Sequence, residues 1–177
     1  MKTASNVSTV HLSLVFALLA LAADGAAAQD WTAFSSAEGR FSILMPGNPT
    51  KGTMAVRAGD AVVTAHVFTA LSRSIDLMVG YGDFPSPQHD PEKIFDATRD
   101  GSLGGVHGTL LSEEKVKLNG YPGRRFRATG VGNAFVDEEM YLVDRRLYLI
   151  TIATATKSPD RNIDKILASF RLKLDGH

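Results

Sequence analysis

The chain has 177 residues, with 19 basic and 19 acidic side chains and no cysteine. This balanced charge argues against a nucleic-acid partner, which would require a basic face. The lack of cysteine excludes disulfides, thiolate metal sites and a catalytic thiol.

The first 28 residues have the pattern of a secretory signal peptide. Lys2 gives a basic start, an apolar run covers residues 10–23, and residues 26–28 are alanines that fit the cleavage rule. The run is too short for a membrane span, which needs about 20 residues. We therefore expect residues 1–28 to be removed and residues 29–177 to form a single domain without a membrane span. An exported protein without disulfides is typical of a bacterial envelope, so we expect a periplasmic or secreted location.

The first half of the mature chain predicts a series of strands joined by short turns. Its apolar, β-branched runs are separated by clusters such as Pro46-Gly47-Asn48-Pro49. Closely spaced strands of this kind favour an antiparallel meander. The predicted strands cover residues 29–39, 41–45, 52–57, 61–71 and 75–81.

A helix is predicted to begin after Asp90, a natural N-cap. Pro91 suits the first helical position, and Glu92 favours the positive end of the helix dipole. Glycines at positions 101, 104 and 105 are expected to end the helix. The side chains predicted to face the core are Ile94, Phe95 and Thr98.

Strands are predicted again at residues 109–118, 121–129, 134–143 and 147–154. A hairpin centred on Val131 would place Arg125 opposite Asp137 and Arg124 opposite Glu138. Opposed charges across a strand pair contribute about 0.2–1 kcal/mol each, so they would help to fix this register.

The last helix is predicted from Ser158 as the cap, Pro159 in the first position and Asp160 in the first turn. Its apolar stripe consists of Ile163, Ile166, Leu167 and Phe170. Residues 171–174 would leave it as a short strand. The order of elements predicts an α+β fold, in which an antiparallel sheet is flanked by helices.

Several stretches resemble motifs of PsbP-like exported proteins. Residues 39–47 (GRFSILMPG) are similar to their opening strand and turn, and residues 118–123 (LNGYPG) to an internal turn. Residues 146–151 and 166–172 are similar to their closing strand and helix end. The resemblance spans about residues 31–174 and implies an α/β/α sandwich. It also implies a group whose members are mostly non-enzymatic and bind protein partners, although no partner-binding residue can be carried over.

The titratable residues do not form a recognisable catalytic or metal motif. His66 lies in a predicted strand, where a hydrogen-bonded histidine on a sheet face is the simpler interpretation. His89 with Asp83 and Asp90 could hold a divalent cation, but the loop lacks regularly spaced ligands, and Asp90 is explained as a cap. The glycine-rich residues 101–105 follow a helix, whereas a phosphate-binding loop precedes one. The sequence therefore predicts no cofactor, no metal and no catalytic residue.

The leading hypothesis is an exported, non-catalytic binding or protein-interaction module whose partner is another envelope protein or a small ligand. Loops beside a rigid sheet commonly carry binding function, so residues 82–90 and 101–108 are the candidate contact site. Two alternatives stay open: a periplasmic carrier of a small apolar ligand, and a metal-dependent or hydrolytic enzyme that uses His66 or His89. The oligomeric state is also open. The candidate contact residues are Asp83, Phe84, His89, Asp90 and His107.

Overall fold

The computed structural model describes residues 31–58, 61–72, 74–87, 90–130, 132, 134–155 and 161–173. The signal-peptide pattern and the cap proposed at residues 158–160 lie outside these ranges. Within them, the predicted order of strands, helix, strands and helix is confirmed. The elements are β1 (Trp31–Ser36), β2 (Phe41–Pro46), β3 (Thr50–Ala58), β4 (Ala61–Leu71), β5 (Ile75–Asp83), α1 (Pro91–Gly105), β6 (Thr109–Leu118), β7 (Tyr121–Thr129), β8 (Phe135–Val143), β9 (Arg146–Thr154), α2 (Arg161–Leu167) and β10 (Arg171–Leu172).

A seven-stranded antiparallel sheet, in the order β3-β4-β5-β9-β8-β7-β6, forms the centre of the fold. Its two faces carry different layers because side chains alternate along a strand. On β8, Met140 and Leu142 pack with Phe95 of α1. Tyr141 and Val143 point the other way, into a core shared with α2 and with the small sheet β1-β2-β10. The predicted α+β architecture, with helices on an antiparallel sheet, is therefore confirmed.

The large sheet curves around α1. The helix contacts both β3 and β7, which lie five positions apart in the sheet order. The helix runs along β7, since Glu92 near its start pairs with Arg124 and Val106 at its end adjoins Gly130. In a flat sheet β3 and β7 would be about 24 Å apart, whereas a helix that lies along the strands is only about 10–12 Å wide. Both contacts are possible because the sheet wraps around the helix, which creates a concave face on the α1 side.

The predicted register of the β7–β8 hairpin is wrong by two residues. Arg125 lies opposite Glu139 rather than Asp137, and Glu138 lies opposite Phe126 rather than Arg124. The loop closes through a 2.8 Å hydrogen bond from the Gly130 amide to the Ala134 carbonyl. Its centre is therefore residue 132, a glycine whose φ of 68° is in the left-handed region. The charge pair across this hairpin joins Arg127 and Asp137, with two bonds of 2.9 Å.

The first helix carries the signals that predicted it. Asp90 caps α1 by accepting a hydrogen bond from the Lys93 amide at 3.4 Å, and Pro91 begins the helix. The helix extends to Gly105, the last of the three glycines expected to end it. In α2, three residues of the predicted stripe are buried: Ile163, Ile166 and Leu167. The fourth, Phe170, is also buried but lies three residues beyond the end of the helix.

A buried arginine ties α1 to the sheet on the side of β6 and β7. The Arg124 side chain is 7% exposed and pairs with Glu92 and Asp96 of α1 and with Glu113 of β6. Burial lowers the pKa of Arg124, but the hydrogen bonds that it donates to the three carboxylates outweigh this effect and raise the pKa overall. On the opposite side of α1, which faces β3 and β4, the described residues form no comparable ion pair between the helix and the sheet.

We expect Arg124→Met to lower the free energy of unfolding by about 1–2 kcal/mol. Breaking a fully buried ion pair costs about 3–5 kcal/mol, and the half-exposed carboxylates of Glu92 and Asp96 reduce this cost through solvent screening. Lys115→Met is the matched control because Lys115 also pairs with Glu92 but is 75% exposed. Urea unfolding should show a smaller loss of unfolding free energy for Lys115→Met than for Arg124→Met. Equal losses would contradict a stabilising role for the Arg124 network.

Candidate functional site

A cavity of about 100 Å³ lies between α1 and strands β3, β4, β5 and β9. It occupies the side of α1 that the ion-pair network does not hold. Because the sheet curves toward α1 on this side, β3 forms a side wall of the cavity, and β4, β5 and β9 form its floor. The walls are mainly aliphatic and include Met54, Val67, Met78, Ile94 and Leu149.

Small residues on both sides keep the helix and the sheet from filling this space. On β5, Gly80 and Gly82 contribute only backbone atoms to the floor. The side chains of Val67 and Val63 on β4 lie against these two glycines. A Cβ at Gly82 would lie 2.9 Å from Val63 Cγ1, which is too close for van der Waals contact. The facing side of α1 carries Ala97 and Gly101. The cavity is thus set by residue size, since side chains long enough to fill the gap are missing from both surfaces.

Two hydroxyl groups line the cavity, and each already donates a hydrogen bond. Thr98 Oγ1 donates to the carbonyl of Ile94 at 2.8 Å, within the helix. Ser102 Oγ donates to the carboxylate of Glu138, at 2.9 and 3.1 Å from its two oxygens. No charged side chain is among the described residues that line the cavity.

Glu138 lies directly behind Ser102 and is 1% exposed. Thr151 of β9 also donates to it at 3.0 Å. Burial raises the pKa of Glu138 to about 7, since the two hydroxyl donors lower it by less than burial raises it. Sequence reasoning missed this site, because it assigned Glu138 to a surface pair with Arg124. The signal was its spacing of two and four residues from Met140 and Leu142, which share its face of β8.

Of the predicted contact residues, Phe84 is the one that the structure places at the cavity, where it is 3% exposed. Asp83 points to the opposite face and forms two 2.7 Å bonds with Arg146. These bonds lower the pKa of Asp83, chiefly through the hydrogen bond to the guanidinium. Asp83 is therefore ion-paired within the fold, and its side chain is still 36% exposed.

Two other predicted contact residues, Asp90 and His107, lie at opposite ends of α1. Asp90 is the α1 cap, and His107 is exposed in a turn beyond α1, with φ at 47°. His89 lies outside the described residues. A docking role for these loops stays a prediction.

His66 belongs to an aromatic stack on the α2 side of the sheet. Its ring lies 4.9 Å from that of Tyr81 at an angle of 12°, and Arg146 covers the same tyrosine at 4.6 Å. Its Nε2 atom is 3.9 Å from the exposed carboxylate of Glu38. Among the described residues, no group of three or more side chains could hold a metal ion. The stacking of His66 on Tyr81 favours a structural role for this histidine on the sheet face.

Comparison with known proteins gives a likeness in structure alone. No protein-family model matches the chain, and no curated protein matches it. The solution structure of cyanobacterial PsbP (CyanoP) from Synechocystis sp. PCC 6803 aligns with a TM-score of 0.56 at 17% identity. The alignment covers 85% of this chain and 97% of that one.

The fold is PsbP-like. This confirms the fold expected from the strand, turn and helix-end motifs of the sequence. A crystal structure from Bacteroides thetaiotaomicron VPI-5482 aligns with a TM-score of 0.46 at 9% identity, over 85% of this chain and 51% of that one. That second likeness is too weak to support an argument. Within the described part of this PsbP-like chain, no helix is both long and apolar enough to cross a membrane.

Proposed function

We propose that this protein is a non-catalytic binding module that holds a small apolar ligand in the cavity beneath α1. The observation that carries the proposal is the cavity itself, about 100 Å³ in volume and walled by aliphatic side chains. An apolar cavity of about 150 Å³ stays dry and binds benzene, so the space suits one ring or a short chain. Ligand sites are commonly apolar and concave, with few polar groups.

The chemistry of the cavity supports binding rather than catalysis. General acid–base catalysis needs a titratable group within hydrogen-bond reach of the substrate. The cavity offers no charged side chain among the described residues, and Glu138 is separated from it by Ser102. We also propose that the module acts in the periplasm or outside the cell, on the strength of the signal-peptide pattern at residues 1–28.

Ala65→Phe tests the proposal because it should fill the cavity from the floor. Ala65 lies on β4, opposite Gly82 and Met54 in the ladder, and lines the cavity. We expect the affinity for toluene, measured by NMR titration, to fall at least about tenfold, because the new ring competes for the same volume. Ala55→Phe is the matched control, since Ala55 is exposed and adjoins Met54 on the other face of β3.

The control should bind toluene as the unmodified protein does. The proposal fails if toluene does not bind the unmodified protein, or if Ala65→Phe binds it equally well. Native mass spectrometry of protein taken from its own envelope should also show a bound small molecule. That mass should be absent from Ala65→Phe and present in Ala55→Phe.

A further inference from the structure

We infer that the cavity selects apolar ligands that carry a hydrogen-bond donor, such as an alcohol or a phenol, and that Ser102 Oγ accepts this bond. The inference rests on the proposed function, since it concerns the same cavity. It adds the chemical class of the ligand, which an apolar cavity alone does not specify.

The hydroxyl groups of Thr98 and Ser102 decide which hydrogen bonds the cavity can offer to a ligand. A hydroxyl group has one hydrogen to donate and two lone pairs to accept. The hydrogens of Thr98 and Ser102 are both used within the protein. Tyr81 is also among the lining residues, but its ring packs with Phe41 and Phe68 on the opposite face. Its hydroxyl, which has no hydrogen-bond partner among the described residues, therefore does not face the cavity. The polar side chains at the cavity therefore offer lone pairs and no free hydrogen.

The carboxylate of Glu138 lies behind Ser102 and accepts its hydrogen. An ionised carboxylate only accepts hydrogen bonds, so it holds the Ser102 hydrogen on its own side. Both Glu138 oxygens lie within reach of Ser102 Oγ, at 2.9 and 3.1 Å, and a charge-assisted bond is stronger than a neutral one. The hydrogen bond also polarises the Ser102 oxygen, which makes it a better acceptor. A ligand carbonyl or carboxylate would instead place its lone pairs against those of Ser102.

The test compares three probes of similar size: toluene without a polar group, anisole with an acceptor only, and phenol with a donor. Binding is measured by NMR titration at about pH 8.5, above the pKa of about 7 of Glu138, so that the carboxylate is ionised. We expect Ser102→Ala to weaken phenol binding about tenfold, as loss of one hydrogen bond implies. Toluene and anisole should change by less than about threefold in the same variant.

Thr151→Ala is the matched control. Thr151 donates to the same carboxylate at 3.0 Å but lines a smaller cavity beside Glu138 instead of this one. It should leave the affinities of all three probes within about twofold of the unmodified protein. If Ser102→Ala fails to fold, Ser102→Cys should show the same selective loss of phenol, because a thiol is a weak acceptor.

Three results would overturn the inference: a phenol loss no larger than the toluene loss, an equal loss in Thr151→Ala, or a loss of anisole as large as that of phenol. The last would show that Ser102 donates to the ligand. If toluene itself does not bind, the proposed function fails, and this outcome is distinct from toluene binding without selection for phenol.

Discussion

Replacing Glu138 with glutamine should make the protein more stable at about pH 8.5 while changing its stability little at about pH 5. Burial raises the pKa of Glu138 from 4.5 to about 7, so between these values the folded state binds a proton that the unfolded state has released. The contribution of Glu138 to stability is therefore greatest at low pH and declines as the pH rises through 4.5 to about 7. At about 1.4 kcal/mol per pKa unit, the full effect is on the order of 3 kcal/mol.

The measurement is urea unfolding of both proteins at the two pH values. Other carboxyl groups also titrate differently in the folded state, so the difference between variant and unmodified protein is the informative quantity. Glu114→Gln is the matched control, because Glu114 is exposed on β6 and its replacement should leave this difference near zero. A Glu138→Gln variant that is less stable at both pH values would mean that the ionised carboxylate is favourable in the fold.

The buried position of Glu138 is unusual for an ionisable side chain. A carboxyl group whose pKa is raised to about 7 by burial is unexpected beneath a helix, between Phe126 and the apolar residues of β8. Residues that do not suit their surroundings are expected at functional sites. Here the carboxyl group accepts a hydrogen bond from Ser102 at the wall of the cavity, so the expected loss of stability at high pH and the proposed selection of ligands involve the same buried group.

Much of the fold could be predicted from local signals. The bounds of β4, β6 and β7 were predicted to the residue, because turn residues such as Asn119 and Gly120 mark the strand ends. Asp90 and Pro91 mark the start of α1 for a similar local reason. By contrast, the β7–β8 register depends on the conformation of a five-residue loop, which the spacing of charges did not reveal.

The candidate site could not be predicted in the same way. The cavity exists because the sheet curves until β3 meets α1, and that contact joins segments about 40 residues apart. The glycines of β5 were visible in the sequence, but nothing local showed that they face Ala97 and Gly101 of the helix. The sequence left a carrier of a small apolar ligand open as an alternative, but it indicated no residues for the ligand site.

Replacing Phe41 with alanine should lower the free energy of unfolding by about 3–5 kcal/mol, the range for deleting a buried aromatic ring. Phe41 is fully buried, and its ring centroid lies 5.6–6.4 Å from those of five aromatic neighbours on four different strands and the segment after α2. Through these rings the small sheet packs on the large one. Leu44→Ala is the matched control, since Leu44 is half-buried on the other face of β2 and should cost about 1 kcal/mol.

Toluene binding by Phe41→Ala tests whether the two faces of the large sheet act independently. Phe41 packs on the α2 side, whereas the cavity lies on the α1 side. At a temperature where Phe41→Ala is still folded, its affinity for toluene should therefore match that of the unmodified protein. A loss of both stability and binding would mean that the small sheet supports the shape of the cavity through the large one. If Phe41→Ala loses stability but keeps its affinity for toluene, the binding function resides in α1 and the concave face of the large sheet alone.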